Sequence, residues 1–229
     1  TLRDAEFTGD SVSLALDGDG ATHITYYDET DYPLGKLQYY HGGAVSTAES
    51  RSGAYWEYSS LALDGSGWPH VSYCDGPNRD LKYAYRDAAG WHTTVVDDGE
   101  KAGLFTSLAL DAQGYPHIAY YDADAKDLKY AAWDGSSWSI ETVDNSTGDV
   151  GQFASLALDG SGNPHIAYFD ATNGDLKYAS NDGSLWVTAA IDTTGIVGQY
   201  ASLALNGAGK MRIAYYDATN GDLKYKAQQ

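Results

Sequence analysis

Ser155-Leu-Ala-Leu-Asp-Gly-Ser-Gly-Asn-Pro-His-Ile-Ala-Tyr-Phe-Asp170 decides the fold, because the chain says it again and again. The phrase Ser-Leu-Ala-Leu starts at Ser13, Ser60, Ser107, Ser155 and Ser202, in steps of 47, 47, 48 and 47 residues. A fixed period in this range marks a stacked or ring-shaped repeat protein. Within the fourth unit, Ser155-Leu-Ala-Leu158 is a short apolar run and Gly160-Ser-Gly-Asn-Pro164 is a turn. His165–Asp170 is rich in β-formers, Ala171-Thr-Asn-Gly174 turns again, and Asp175-Leu-Lys-Tyr-Ala179 follows. Asn181-Asp-Gly183 makes the last turn before Trp186-Val-Thr-Ala-Ala-Ile191. Short runs bounded by Gly, Asn, Asp and Pro read as strands joined by hairpins. No stretch keeps a helical period over three turns.

Four antiparallel strands per unit, repeated radially, make a β-propeller blade. Both faces of a blade pack on neighbours, which accounts for a second strand, Ile-Ala-Tyr-Tyr/Phe, that is apolar on both sides. A parallel β-helix and an open β array are the alternatives, and three turn clusters per unit favour the meander. The expectation is an all-β, five-bladed β-propeller in a single domain over 1–229. Its repeats lie near 13–59, 60–106, 107–154, 155–201 and 202–229 plus 1–12. The fifth unit ends at Asp222-Leu-Lys-Tyr-Lys-Ala227 without a fourth strand. Leu2 aligns with Val96 and Ile191, so the N-terminal stub is expected to complete the C-terminal blade.

The net charge of −18, from 32 acidic and 14 basic side chains, argues against nucleic acid and anionic membranes as partners. No apolar run is long enough to insert in a membrane. Cys74, the one cysteine, occupies the place of Tyr27, Tyr121, Phe169 and Tyr216 and reads as a small core filler with no internal disulfide. A first residue of Thr and the sequon Asn145-Ser-Thr147 point to a secreted or extracellular protein.

Asp, two residues, Gly, one residue and then a β-rich strand recur at Asp17, Asp64, Asp111 and Asp159, with Asn206 in the fifth unit. This pattern resembles the repeat of bacterial propellers of the NHL and bacterial-neuraminidase-repeat type. Five blades of this length are similar to tachylectin-type lectins and to five-bladed glycosidases. The resemblance is one of architecture and implies the propeller fold.

Several repeated positions can carry chemistry. Asp28, Asp75, Asp122, Asp170 and Asp217 end the second strand, and Asp80, Asp127, Asp175 and Asp222 close the following turn in four units. Asp170, Asp175, Asp217 and Asp222 lie in Asp-Ala-Thr-Asn-Gly-Asp loops whose oxygens can hold Ca²⁺; the competing reading is turn capping. His23, His70, His117 and His165 open the second strand, with Arg212 in the fifth unit, and are expected to bond a turn or the next blade. At the lead-in to the first strand stand Tyr58, Phe105, Phe153 and Tyr200, each preceded by Glu57, Leu104, Gln152 or Gln199. An aromatic beside an amide and the second-strand Asp suits a sugar, the ring taking C–H surface and the polar groups the hydroxyls; the alternative is a core plug. The Lys-Tyr pairs at 82, 129, 177 and 224 read as structural, with Tyr inward and Lys at the wet rim, and the fourth-strand Trp residues as packing anchors.

Glycoside hydrolysis usually needs two carboxylates in different environments, which equivalent repeat residues do not supply. Asp10 and Glu57, at one repeat position on adjacent blades, are the pair on which a glycosidase or lyase would depend. Near-identical repeats suit avidity instead. The expected function is a non-catalytic, multivalent, lectin-like propeller for carbohydrate or glycoconjugate, using Tyr58, Phe105, Gln152, Phe153, Gln199, Tyr200, Asp122, Asp170 and Asp217. The third reading is a scaffold propeller for protein partners. No cofactor is expected beyond the calcium alternative.

Overall fold

The computed structural model describes residues 8–53, 56–146 and 148–228. Among these, 19 strands and no helix are formed, in four sheets of four strands and one of three. The first repeat holds β1 (Thr8–Leu16), β2 (Thr22–Asp31), β3 (Leu34–His41) and β4 (Ala44–Ser52); the second holds β5 (Trp56–Leu63), β6 (Pro69–Asp75), β7 (Asp80–Asp87) and β8 (Gly90–Asp97). The third contains β9 (Leu104–Leu110), β10 (Pro116–Asp122), β11 (Asp127–Trp133) and β12 (Trp138–Asp144). The fourth is β13 (Val150–Leu158), β14 (Pro164–Asp170), β15 (Asp175–Asn181) and β16 (Trp186–Asp192), and the fifth β17 (Val197–Leu205), β18 (Met211–Asp217) and β19 (Asp222–Ala227). The blades are antiparallel meanders, as the turn clusters predict. Residues 1–7, on which the expected clasp strand falls, lie outside the described residues; Thr8–Val12 belong to β1, which pairs with β2.

The chain divides into two compact units, 1–108 and 109–229. In each, the cores lie between successive blades. In the first unit Leu37, Leu61, Val71, Tyr73 and Ala84 pack together. In the second, Leu156, Ile166 and Tyr168 meet Ala119 and Leu128, and Leu203 and Ile213 meet Ala167 and Leu176. Burial from both sides explains a second strand without polar alternation.

The repeated phrase has a physical reason at each letter. The Ser13 hydroxyl accepts the Leu61 N–H at 3.0 Å, Ser60 accepts Leu108 at 3.0 Å and Ser155 accepts Leu203 at 2.9 Å. The serine thus stitches its own first strand to that of the following blade. The Asp or Asn two residues beyond Ala caps the next turn: Asp159 Oδ1 accepts the N–H groups of Ser161 and Asn163 at 2.8 and 2.9 Å, and Asn206 Oδ1 does the same for Ala208 and Lys210. The Gly three residues on, Gly162 or Gly209, has φ of +85° or +73°, the left-handed region that glycine visits without penalty.

A second glycine sets the distance between blades. Gly103, Gly151 and Gly198 lie four residues before the repeat serine. A Cβ at each would fall 2.7 Å from the Cα of Leu81, Leu128 or Leu176 in the preceding blade. Backbone therefore lies directly on backbone at these joins.

The Lys-Tyr element departs from expectation. Lys82 and Lys177 are buried rather than at the wet rim. Each reaches a carboxylate on the fourth strand of the preceding blade. Lys177 Nζ is 2.5 Å from Asp144, which also accepts the Tyr168 hydroxyl at 2.6 Å. Lys224 is 3.1 Å from Asp192, which accepts the Tyr215 hydroxyl at 2.7 Å. Lys82 and Tyr73 hold Glu49 in the same way. The attraction of a buried opposite charge outweighs the hydration of the ammonium only because the geometry is good and a hydroxyl completes it. The tryptophans are anchors as expected: Trp91 and Trp186 stand edge-on to Tyr39 and Tyr130 of the preceding blade.

Candidate functional site

The lead-in to the first strand is where the backbone leaves ordinary geometry. Ser11, Tyr58, Phe105, Phe153 and Tyr200 have φ between +51° and +55°. Ser11, Tyr58, Phe153 and Tyr200 each sit at a register shift between the first and second strands, as between Gln152 and Ser155 in β13 or Gln199 and Ser202 in β17. Such a bulge re-aims a side chain. A left-handed conformation costs an L-residue about 1–2 kcal/mol, yet four of the five blades place a large aromatic there.

The aromatics meet one another in pairs. Tyr58 and Phe105 have ring centroids 4.5 Å apart at 51°. Phe153 and Tyr200 repeat this at 4.5 Å and 50°. Phe153 also lies 6.2 Å from Phe169, and Tyr200 lies 6.4 Å from Tyr216. Tyr58, Phe105 and Phe153 are half-buried, whereas Tyr200 is 69 % exposed. They are shared platforms between neighbouring blades rather than one isolated ring per blade.

Of the expected polar partners, Gln152 is placed with new ones. Its Nε2 donates to Asp149 Oδ1 at 3.0 Å, and the same oxygen accepts the Tyr121 hydroxyl at 2.8 Å. Tyr121 is buried and Asp149 half-buried; burial, then the bond to Asp149, raises the Tyr121 phenol above its ordinary range. The equivalent places between the fourth and fifth blades are Phe169, Ile196 and Gln199, and in the second unit of the sequence they are Cys74, Lys101 and Leu104. The junctions differ in chemistry although the blades do not. Sequence reading missed Tyr121 and Asp149 because it sought residues that repeat, and these are residues that vary.

The second-strand aspartates are turned into their own hairpins. Asp170 Oδ1 accepts the N–H groups of Thr172 and Asn173 at 3.1 and 3.0 Å, and Oδ2 the Asn173 amide at 2.9 Å. Asp217 repeats these bonds with Thr219 and Asn220. Asp122 bonds Asp124 and Ala125 and pairs with Lys129 at 2.7 Å. All three are buried. Burial and then the charge of Asp170 raise the Asp175 carboxyl, and Asp127 is raised likewise by burial and Asp122. Among the described residues, no three His, Cys, Asp or Glu side chains form a group able to hold a metal ion.

Asp10 pairs with Tyr27 through its backbone and Glu57 with Cys74; the Asp10 side chain lies outside the described residues. Burial, then the charge of Glu57, pushes the Cys74 thiol up to about 12, so it is an inert filler. The histidines bond within their own blades. His23 Nδ1 is 2.5 Å from the Tyr39 hydroxyl and its Nε2 is 3.4 Å from Asp17. His70, His117 and His165 bond Tyr83, Tyr130 and Tyr178 through Nδ1 in the same way, while their Nε2 atoms stand 3.8, 3.6 and 3.7 Å from Asp64, Asp111 and Asp159, and those of His117 and His165 make no hydrogen bond with the described residues. No helix among the described residues is long and apolar enough to cross a membrane.

No protein-family model matches this chain, and no curated protein matches it. Solved structures do. A protein of unknown function from Dyadobacter fermentans is 10 % identical over 99 % of this chain and 80 % of its own, with a TM-score of 0.68. A Hadza microbial sialidase gives 0.61 at 13 % identity, over 98 % of this chain and 56 % of its own. The Aleuria aurantia lectin, solved with α-methyl-L-fucoside, gives 0.59 at 12 % identity over 96 % and 79 %. With blades of four antiparallel strands and neighbours of this kind, the chain is a β-propeller of five blades. Lectins and glycosidases both occur among its structural neighbours.

Proposed function

We propose that this chain is a secreted, non-catalytic lectin-like propeller that binds carbohydrate on the paired aromatics at the lead-in to its first strands. The observation that carries the reading is the left-handed backbone at Tyr58, Phe105, Phe153 and Tyr200. Strain of this kind collects where a side chain must be held for a ligand. The rings supply stacking surface, and Gln152, Asp149 and Tyr121 supply hydroxyl partners beside Phe153. Two pairs, Tyr58 with Phe105 and Phe153 with Tyr200, make the protein multivalent with unequal sites, the second being the more polar. The sugar-binding and sugar-cleaving neighbours support the ligand class without choosing between the two activities. The choice for binding rests on the aspartates, which occupy near-equivalent turns and offer no acid and base in contrasting surroundings. The Asp-capped, Gly-closed turn supports the likeness to NHL and bacterial-neuraminidase repeats.

Glycan binding across a defined panel, with calcium and again with chelator, tests this reading. The expected result is a related set of neutral sugars bound at more than one equivalent per chain, without release of reducing ends and without chelator effect, since Asp170 and Asp217 already serve their turns. Phe153→Ala and Gln152→Ala should lower affinity at least tenfold. A blank panel overturns the proposal, and sugar release that Glu57→Gln abolishes replaces it with a glycosidase.

A further inference from the structure

We infer that Asp149 decides which sugars the Phe153–Tyr200 pair accepts: its carboxylate reads two adjacent hydroxyls and turns away sugars that carry an acid group of their own. This rests on the carbohydrate reading and gives that site its ligand class. The residues concerned all lie in the unit 109–229. Two successive lead-ins present residues 149 and 196 on one backbone frame. The Asp149 N–H donates to Thr172 Oγ1 at 2.6 Å, and its carbonyl accepts the Ala171 N–H at 2.8 Å. Ile196 makes the same two bonds, with Thr219 Oγ1 at 2.7 Å and the Ala218 N–H at 2.8 Å. The residue ahead is glycine in both, Gly148 and Gly195, and a Cβ on either would collide with the threonine hydroxyl. Backbone and threonine alone make the frame, so it holds whatever side chain it is given. One lead-in is given a carboxylate and the other an alkyl group. The second strand changes in step: Tyr121 stands where Phe169 stands one repeat later, and its hydroxyl is the atom that bonds Asp149. The frame does not need this polar pair, since it is complete with Ile196 and Phe169.

The bonding fixes what the carboxylate can take. The Tyr121 hydroxyl at 2.8 Å and Gln152 Nε2 at 3.0 Å both donate to Oδ1. With the main chain pinned to the next hairpin, two donors on one oxygen hold the carboxylate in a single orientation before a ligand arrives, which lowers the ordering cost of binding. Oδ2 has no donor among the described residues. A carboxylate oxygen accepts and cannot donate, and it keeps two acceptor positions, enough for two adjacent hydroxyls of a sugar whose C–H surface lies on the rings. An acidic sugar would instead bring a further negative charge to a junction where the Tyr121 phenol already lies in the field of the Asp149 and Asp122 carboxylates. Like charges placed together are a means by which a site refuses the wrong partner.

Calorimetric titration tests this. The probes are the methyl glycosides of galactose, glucose and mannose, each beside its uronic acid and its di-O-methyl ether. The proteins are the parent chain, Asp149→Asn and Asp149→Ile. The frame bonds are made by the main chain, so both variants should keep the parent's near-ultraviolet circular dichroism. At this site the parent should bind the acid about tenfold or more weakly than the neutral sugar. At concentrations that saturate the neutral sugar, Asp149→Asn and Asp149→Ile should each take up one more equivalent of acid than the parent does. The parent should bind the O-methyl ether about tenfold or more weakly than the free sugar, because the carboxylate is left unpaired, and Asp149→Ile should lose that preference. Equal uptake of acid and neutral sugar by the parent, or variants that take up no more acid than the parent, overturns the inference, and the neutral binding leaves the carbohydrate reading standing. No binding of any probe overturns both.

Discussion

The fourth and fifth blades carry the same nine residues, Asp-Ala-Thr-Asn-Gly-Asp-Leu-Lys-Tyr, at 170–178 and 217–225, and meet opposite fates. The hairpins are superimposable in register, Asp170 opposite Asp175 and Asp217 opposite Asp222. The turn bonds are the same. Yet Leu176 is fully buried and Leu223 is 81 % exposed. Local structure in this protein is written in each repeat, whereas burial belongs to the neighbour. Stability should accordingly divide into intrinsic blade terms and joins between blades.

The sharpest way to break this comparison is to truncate both leucines. Leu176→Ala should cost about 2–5 kcal/mol, the range for emptying a core site. Leu223→Ala should cost under about 0.5 kcal/mol. Urea unfolding of the two variants checks the pair, and equal losses would show that exposure at the fifth blade has no energetic meaning. The carboxylate clamps come next. Lys177→Met strands Asp144 in the interior and should cost about 3 kcal/mol, while Lys224→Met, at a wetter pair, should cost clearly less. Burial works against the Asp192 carboxyl, but bonds from Tyr215, the Thr194 N–H and Lys224 bring it down to about 2 from its ordinary 3.8. A depressed carboxyl stabilises above its unfolded pKa. The Asp192 contribution should be complete above about pH 4 and fade as the pH falls toward 2, as unfolding followed against pH will show.

The smallest effect concerns the left-handed aromatics. Tyr200→Gly should be more stable than Tyr200→Ala by about 1 kcal/mol, because only glycine relieves the positive φ. Phe153→Gly should lose about 2 kcal/mol instead, since Phe153 packs between Phe169 and Tyr200. Thermal unfolding of the three variants decides it.

What was legible in the sequence follows the same division. Ser, Asp and Gly of the repeat act within a few residues or at one fixed step, so the blade, its turns and the resident histidines could be read from the pattern. The clamps could not. Lys82 and Glu49 are 33 residues apart, and nothing local marks them as partners, so Lys was expected in water. The left-handed backbone at Tyr58, Phe105, Phe153 and Tyr200 was hidden because an aromatic ahead of a strand looks like strand. Tyr121 and Asp149 escaped for the opposite reason: they break the repeat at the place where one junction departs from the others.

The glycine joins have a consequence for how such a chain can change length. At Gly103, Gly151 and Gly198 the backbone of one blade rests on the backbone of the last, and the third step is one residue longer than the others. The extra residue falls in the loop ahead of β13, where it disturbs neither join nor ladder. A whole period inserted between β16 and β17 would find the same glycine, the same leucine and the same serine on both sides, whereas a fraction of a period would find none of them. Growth by duplication is therefore quantised: the gene can count in blades, and the loops absorb the remainder.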